Sequence, residues 1–266
     1  MGTPRLKKKL GQHHLISSDL CLPLVEFLRP DGWRVLEVGP GGGVLTTALL
    51  DHGARVDAIE MDPEWAFRLR RLETRAALGV IVGDAMTLAW ERLGTPALVA
   101  GNLPYQIATP LIERLLPLHR VIPRASFLVQ REVGERLGAA PGAAAYGSLS
   151  VIVAAYADVE MLGRVARGSF RPAPKVEGEF VGLRLRRPVL PEEQMNGFVA
   201  TVRLAFSLRR KTLRNALASR WGKEQAARVV EALDLGARVR AEELDLDSFV
   251  RLRALAESTR QATGET

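Results

Sequence analysis

The chain has little of several features that define other protein classes. Its 266 residues contain a single cysteine, Cys21, which excludes an internal disulfide framework and a cysteine-built metal site. The basic cluster from Arg5 to Lys9 is followed by polar residues instead of the apolar stretch of a secretory signal. No segment approaches the roughly 18 apolar residues of a membrane-spanning helix. We therefore expect a soluble, cytoplasmic protein that does not enter a membrane.

Acidic residues are missing from one segment, between Glu193 and Glu224, in a chain whose net charge is +7. The same segment is rich in cations: Arg203, Arg209, Arg210, Lys211, Arg214, Arg220 and Lys223. If residues 203–217 form one helix, three of the arginines (203, 210 and 214) share a face. This one-sign surface predicts contact with the phosphates of a polyanionic partner, and a merely solvated charged face is the alternative.

The first two thirds of the chain alternate short apolar runs with amphipathic helical patterns, as in an open parallel sheet with helices on both faces. The predicted early strands are Arg34 to Val38, Arg55 to Glu60, Gly79 to Val82, Ala97 to Gly101 and Ala125 to Gln130. Two later strands, Val159 to Val165 and Glu179 to Leu185, are expected to be antiparallel. Helical patterns dominate after Arg187. We therefore predict an α/β domain over residues 1–187 and a small all-helical domain over residues 188–266.

A glycine-rich turn follows the first strand, in the segment from Glu37 to Gly43. Such a turn at the carboxyl edge of a parallel sheet is where a nucleotide-like cofactor binds, because glycines let the ligand approach the backbone. Val44 stands where the dinucleotide fingerprint has its third glycine, which disfavours a dehydrogenase.

Carboxylates end the next two strands. Glu60 lies about twenty residues beyond Gly39, where a ribose diol needs an acceptor, and Asp84 ends the third strand, where it can accept from an adenine amino group. Both acids are also favoured at helix starts, so capping is the alternative interpretation. Their order along the chain, with the glycine turn before them, favours a single nucleoside site.

The fourth strand ends in Asn102-Leu103-Pro104-Tyr105. This segment places an amide oxygen, a backbone carbonyl and a ring face around one small volume, because proline fixes its own φ and lacks a donor. A planar amine, such as the exocyclic amino group of a nucleobase, fits those groups. A strand end followed by a simple proline turn is the alternative.

Seven ordered blocks, which span nearly the whole chain, resemble the ribosomal RNA adenine dimethyltransferases that use S-adenosylmethionine, specifically the bacterial small-subunit type. The blocks are Gly11-Gln12-x-x-Leu15, Glu37-Val38-Gly39-Pro40-Gly41, Glu60-x-Asp62, Gly83-Asp84-Ala85, Asn102-Leu103-Pro104-Tyr105, Phe170-x-Pro172-x-Pro174-Lys175-Val176 and Arg209-Arg210-Lys211-Thr212-Leu213-Arg214-Asn215. The resemblance implies a Rossmann-like S-adenosylmethionine-dependent methyltransferase sheet.

The resemblance also implies which residues hold S-adenosylmethionine: His13, Leu15, Gly39, Gly41, Glu60, Asp84 and Asn102. It implies that the substrate is a pair of adjacent adenosines in the 3′-terminal hairpin of small-subunit rRNA, in a late assembly intermediate of the small ribosomal subunit. No metal is expected, and we expect a monomer.

The chemistry expected of this site is alignment more than proton abstraction, because a sulfonium methyl is already activated. Asn102 and the carbonyl of Leu103 are predicted to accept the N6 hydrogens, on a turn fixed by Pro104. Tyr105 is predicted to stack on the base and Phe170 to cover its other face. A contact within the hydrophobic core is the alternative for Phe170.

The chain departs from the family pattern at His13 and His14, where the family usually has Asn-Phe. His13 is expected to keep a polar contact to the cofactor, and His14 is expected to fill the apolar position. Because imidazole titrates near neutrality, cofactor affinity is predicted to be weaker or more pH-dependent than in relatives. A metal site at this pair is disfavoured, because neighbouring ligands on an extended segment point apart.

Three other functions are compatible with parts of the pattern. A large-subunit rRNA adenine methyltransferase shares most of the blocks, although Leu103 and the Arg-Arg-Lys-Thr segment favour the small-subunit type. A ribosome assembly or transcription factor could keep the fold and the RNA surface without catalysis, which the intact acids argue against. A small-molecule methyltransferase is disfavoured by the basic helical appendage.

Overall fold

The chain divides into two compact units. A computed structural model describes residues 13–71, 76–208 and 210–263, so the basic cluster from Arg5 to Lys9, the first block's Gly11 and Gln12, and Arg209 lie outside the described residues. The first unit, which we call the sheet unit, comprises Met1–Gly134 and Ala157–Arg186. The second, the helical unit, comprises Glu135–Tyr156 and Arg187–Thr266.

The strands of the described residues all belong to the sheet unit. They are β1 (His14–Leu15), β2 (Arg34–Val38), β3 (Arg55–Glu60), β4 (Leu78–Val82), β5 (Leu98–Asn102), β6 (Arg124–Gln130), β7 (Ala157–Val165), β8 (Phe170–Arg171) and β9 (Gly178–Leu185). The helices of the same residues are α1 (Leu22–Leu28), α2 (Val44–Asp51), α3 (Pro63–Arg70), α4 (Ala108–Leu115), α5 (Arg131–Leu137), α6 (Ser148–Ala154), α7 (Glu192–Ala205), α8 (Leu213–Trp221), α9 (Lys223–Ala232) and α10 (Leu246–Thr263).

The main sheet has seven strands in the order β4-β3-β2-β5-β6-β9-β7. β4, β3, β2, β5 and β6 are parallel, and β9 and β7 are antiparallel, as predicted for the two later strands. The central strands are apolar on both faces, and helices flank the sheet. The predicted α/β sheet is therefore confirmed, and its predicted strands begin and end within two residues of the observed ones.

The register of the parallel strands brings their carboxyl ends to one edge. Val38 pairs with Ile59 on one side and with Gly101 on the other, and Glu60 pairs with Val82. The turns that leave these strands therefore lie side by side, as in other open sheets whose ligands bind at this edge.

Side-chain caps start two helices. One is α3, which follows β3 at this edge, and the other is α8, which lies in the basic segment between Glu193 and Glu224. The Asp62 carboxylate accepts a hydrogen bond from the Glu64 amide at 3.1 Å, and Pro63 occupies the first turn of α3. The Thr212 hydroxyl accepts from the Asn215 amide at 3.4 Å and starts α8.

The helical unit has its own apolar core. Phe198, Leu217 and Phe249 are fully buried, and the Tyr146 hydroxyl donates to the Leu244 carbonyl at 2.7 Å. α7 packs against α6, α8 and α10. Amphipathic helices that bury such side chains against one another form an ordinary small bundle.

The units differ from the predicted domains in one respect. The sheet unit ends at Arg186, beside the predicted boundary at Arg187, but residues 135–156 belong to the helical unit, although the sequence pattern assigned them to the catalytic domain. The reason is the apolar run beginning at Leu149. It forms α6, which packs on α7 and is not part of the sheet.

The condition that residues 203–217 form one helix is not met. α7 ends at Ala205 and α8 begins at Leu213, with a link between them whose described residues, 206–208 and 210–212, are not helical. The Phe206 amide still bonds back to Val202, and Thr212 then caps a new helix. A shared helical face for the arginines at 203, 210 and 214 therefore does not exist.

Candidate active site

A cavity opens at the carboxyl edge of the sheet unit. It is lined by every residue predicted to bind cofactor or base: His13, Leu15, Gly39, Gly41, Glu60, Asp84, Asn102, Leu103, Pro104, Tyr105 and Phe170. Residues separated by more than 150 positions thus surround one space, because β1 at the start of the described chain pairs with β8.

The glycine-rich turn is held open by a buried carboxylate. Glu60 is 5 % exposed, and its two oxygens accept hydrogen bonds from the amides of Gly41 at 3.0 Å and Asp62 at 2.9 Å. Burial raises the pKa of Glu60, and these bonds oppose that shift. A carboxylate oxygen accepts more than one hydrogen bond, so Glu60 can shape the turn and still receive a ligand hydroxyl.

Three glycines of the turn have positive φ, +68° at Gly39, +50° at Gly41 and +81° at Gly43. A side chain at Gly41 would overlap the His14 ring, and one at Gly39 would point at Pro104 and the Asn102 carbonyl. Glycine therefore leaves the space between the turn and the end of β5 free for a ligand.

Asp84 stands at the end of β4, where it was predicted. Its Oδ1 accepts from the Met86 amide at 2.8 Å, and its carbonyl accepts from the Thr87 hydroxyl at 2.9 Å. It thus begins a turn, whereas the capping alternative expected the start of a helix, and its side chain also lines the cavity.

The Asn102 side chain is oriented by the N-terminal segment. Its amide nitrogen donates to the His13 carbonyl at 2.8 Å, which turns the side-chain oxygen away from that carbonyl. The next residue is anchored as well, because the Leu103 amide donates to the Leu128 carbonyl at 3.0 Å. The end of β5 is therefore fixed both to the sheet and to the residue that precedes β1.

The Tyr105 ring lies against the N-terminal segment. It stacks with the His13 ring at a centroid distance of 5.9 Å, and burial raises the pKa of its hydroxyl. The His13 ring also donates through Nδ1 to the Pro172 carbonyl at 2.8 Å. His13 thus joins three segments of the cavity wall, a connection that the sequence pattern did not predict.

Phe170 lies in the hydrophobic core more than in a loop. It is 3 % exposed, pairs with Leu15 across β1 and β8, and packs in the apolar cluster of the sheet unit. Its ring contributes to the cavity wall but offers almost no free face. The core contact that was the alternative interpretation of Phe170 is therefore what the structure shows.

Glu37 is a cavity residue to which the sequence pattern assigned no role. It is 1 % exposed, and its Oε2 accepts from the Thr46 hydroxyl at 2.6 Å. Burial raises its pKa to about 8, with the nearby Glu60 adding to the shift and the Thr46 bond opposing it. The carboxyl group is therefore largely protonated at neutral pH.

His14 was expected to fill an apolar position, and it does more than that. Its Nδ1 accepts a hydrogen bond from the Gly42 amide at 2.9 Å, and its ring packs on Trp65 at a centroid distance of 4.6 Å. The family block at this position carries no histidine, so no signal in the pattern indicated the contact.

The described residues among those predicted to bind RNA are exposed in the helical unit. Arg203 lies in the last turn of α7, Arg210 and Lys211 lie in the link, and Arg214 lies in the first turn of α8. They are distributed over two helices and a link, and their contact with RNA stays a prediction.

Neither a metal centre nor a membrane span emerges from the described residues. Over residues 13–71, 76–208 and 210–263, no group of three or more His, Cys, Asp or Glu side chains could hold a metal ion. Within the same ranges, no helix has both the length and the apolar character needed to cross a bilayer.

Comparison with known proteins gives matches over almost the entire chain. The model of a family described as ribosomal RNA adenine dimethylase matches residues 4–257. The ribosomal RNA small subunit methyltransferase A of Pseudomonas aeruginosa is 40% identical, over 93% of each chain. The protein of the same name from Thermosynechococcus vestitus is 39% identical, over 97% of this chain and 98% of its own.

Solved structures have the same fold. A dimethyladenosine transferase from Plasmodium falciparum superposes with a TM-score of 0.76 at 25% identity, covering 94% of this chain and 98% of its own. The 23S rRNA methyltransferase ErmE gives a TM-score of 0.72 at 24% identity, covering 91% and 99%. The second likeness is one of fold alone.

Proposed function

The chain belongs to the ribosomal RNA adenine dimethylase family, and we propose that it dimethylates the N6 amino groups of two adjacent adenosines in small-subunit rRNA with S-adenosylmethionine as donor. One observation carries the proposal: the glycine turn, the two acids and the end of β5 line a single cavity. The names of the relatives support the small subunit over the large one.

The residues present fit S-adenosylmethionine. Positive φ at Gly39 and Gly41 leaves room beside the backbone, Glu60 accepts from a ribose diol, and Asp84 accepts from the adenine amino group. The bound cofactor supplies an activated methyl group. His13 and Leu15 close the opposite wall.

The residues at the end of β5 hold the acceptor nitrogen. With its amide nitrogen bonded to His13, Asn102 turns its oxygen toward an N6 hydrogen, and the Leu103 carbonyl accepts the other. Acceptance of these hydrogens localises the N6 lone pair, which is otherwise delocalised into the ring. No strong base is needed, because the nitrogen becomes acidic only after it has gained the methyl group. Tyr105 stacks on the base, Pro104 fixes the turn, and the cavity excludes water.

The substrate segment enters as an unstacked adenosine, at a cost of a few kcal/mol that is lower in a loop than in a duplex. We assign contact with its phosphates to Arg203, Arg209, Arg210, Lys211 and Arg214. RNA shape and charge then select the 3′-terminal hairpin, in a late assembly intermediate of the small subunit. In this proposal the enzyme is a cytoplasmic monomer.

Labelled methyl transfer tests the proposal. The protein is incubated with radiolabelled S-adenosylmethionine and, separately, with unmethylated small subunits, large subunits and free rRNA, and the digested nucleosides are then identified. Dimethyladenosine from small subunits alone is the expected result. Label in the large subunit, or monomethyladenosine as the sole product, would contradict it.

A further inference from the structure

His14 is the side chain that couples the N-terminal segment to the cofactor turn. Its Nδ1 accepts a hydrogen bond from the Gly42 amide at 2.9 Å. The same ring fills the space that a side chain at the neighbouring Gly41 would occupy. Trp65 of α3 packs on the ring at 4.6 Å. The imidazole therefore occupies a fixed position between β1, the glycine turn and α3.

The direction of the Gly42 bond sets the protonation state of His14. An amide N–H donates, so Nδ1 must be unprotonated and the ring hydrogen must sit on Nε2. Nε2 is buried and has no hydrogen-bond partner among the described residues. A second proton could enter only at Nδ1, where it would replace the bond from Gly42 by two facing donors.

His13 has the opposite arrangement. Its Nδ1 faces the Pro172 carbonyl, which accepts, so Nδ1 carries the hydrogen and a further proton on the ring leaves this bond in place. Of the two adjacent histidines, only His14 loses its partner on protonation. The pH dependence predicted for His13 from the sequence is therefore better carried by its neighbour.

We propose that His14, as a neutral imidazole, is a positioning residue that holds the glycine turn in its cofactor-binding shape, and that acid releases the turn by protonating Nδ1. The part of this inference that concerns cofactor binding rests on the proposed function.

The surroundings of His14 favour the neutral form. The charged or titratable side chains near His14 include His13, which precedes it in the chain, Arg171 opposite it on β8, Arg68 over the Trp65 ring, and Glu60, which bonds the adjacent Gly41. The helix α3 also carries Glu64 and Arg70. Burial lowers the pKa of His14, and the charge of His13 lowers it further. The bond is therefore intact at neutral pH and is lost as the pH falls below the ordinary histidine value of about 6.5.

Two variants separate the parts of the side chain. His14→Asn keeps an acceptor near the Nδ1 position without a titrating ring, and His14→Phe keeps the ring without an acceptor. His52→Gln, at the end of α2, serves as a remote histidine control.

The experiment measures the Kd of S-adenosylhomocysteine by calorimetry between pH 7.5 and 5.5. As the pH falls from 7.5 to 5.5, the Kd of wild type and of His52→Gln should rise by about fivefold more than the Kd of either His14 variant. A fivefold change corresponds to the loss of about one hydrogen bond. His14→Asn should match wild type at pH 7.5, and His14→Phe should be weaker there. Any titration of Glu37 or Glu60 is common to all four proteins and cancels in this comparison.

A second measurement needs no ligand. The Gly42 amide proton of the free protein is followed by NMR over the same pH range, and it should shift with a midpoint below about 6.5 in wild type and stay flat in His14→Asn. A flat Gly42 signal in wild type, or the same slope of Kd in His14→Phe, would overturn the inference. Absence of S-adenosylhomocysteine binding at every pH would contradict the proposed function instead, and the Gly42 titration would still decide the role of His14.

Discussion

The cofactor edge of the sheet unit and the basic segment of the helical unit hold their polar groups in different ways. At the cofactor edge, hydrogen bonds fix each group: Glu60 accepts from two amides, and Asn102 donates to the His13 carbonyl. In the basic segment, Arg210, Lys211 and Arg214 are exposed at a break between two helices. The first arrangement suits the orientation of a small ligand, and we propose that the second contacts the distributed charge of RNA phosphates.

This difference predicts different responses to mutation. A fixed hydrogen bond disappears completely when one partner is removed, whereas a set of exposed cations weakens in proportion to the charge removed. Substitutions in the two regions should therefore differ both in size and in salt dependence.

Asn102→Ala is expected to have the largest effect. It removes the proposed acceptor for the N6 hydrogens, so turnover should fall by ~10²-fold or more, as for other preorganised polar groups that act at the reacting centre. RNA binding should be unchanged. Single-turnover methyl transfer and filter binding measure the two quantities, and Asn196→Ala on the exposed face of α7 is the matched control. Turnover retained in Asn102→Ala would remove the acceptor role.

Glu37→Gln tests how strongly burial raises the pKa of Glu37 at the cofactor edge. The unfolded chain ionises this group above about pH 4.3, whereas the folded protein keeps the proton to about pH 8. The contribution of Glu37 to the free energy of unfolding of wild type therefore falls as the pH rises between these values. The variant should be more stable at pH 8, by on the order of a few kcal/mol, and similar at pH 5, because one pKa unit corresponds to ~1.4 kcal/mol.

Urea unfolding of the two proteins at both pH values measures this difference. The Gln side chain keeps an acceptor for the Thr46 hydroxyl, so the comparison isolates the charge. Equal pH dependence of wild type and Glu37→Gln would show that Glu37 is ionised in the folded protein.

The double variant Arg210→Ala, Arg214→Ala tests whether the exposed cations of the basic segment bind RNA. RNA affinity should fall by about tenfold at moderate salt, and the slope of log K against log salt should fall by about one for each phosphate that is no longer neutralised. Cofactor affinity should not change. Arg228→Ala is the matched control, since Arg228 is exposed in the same unit but is paired with Glu224 at 3.5 Å. An unchanged salt slope in the double variant would reject the assignment.

Thr212→Ala should have the smallest effect. It removes the cap of α8, which costs ~1 kcal/mol of stability and frays the turn that carries Arg214. Thermal unfolding measures the loss, and Thr212→Ser should restore it. RNA affinity should change less than in the double arginine variant, because no charge is removed.

The fold of the sheet unit could be predicted because its signals are local and repeated. Buried parallel strands give short apolar runs, and the residues that follow each run meet at one edge whatever the details of packing. Glu60, Asp84 and Asn102 could therefore be assigned to one cavity from the order of the strands alone.

Other features could not be predicted, for physical reasons. β1 and β8 are two residues long each, which is too short for any periodicity, so the pairing of Leu15 with Phe170 left no pattern. The break between α7 and α8 was missed because Phe206 and Leu213 keep helical spacing across it. Thr212, a favoured N-cap residue just before an apolar position, was the available signal.

The chain of hydrogen bonds from Asn102 to His13 and from His13 to Pro172 also bears on how the protein is made. The parallel strands and the glycine turn are complete once about half the chain has left the ribosome. The segment that bonds to His13, residues 170–172, is synthesised only after α6 of the helical unit. Because a contact of such sequence separation is slow to form, we expect the nascent protein to form the parallel strands before His13 is bonded to Pro172. The growing chain is therefore expected to complete this series of hydrogen bonds late in its own synthesis.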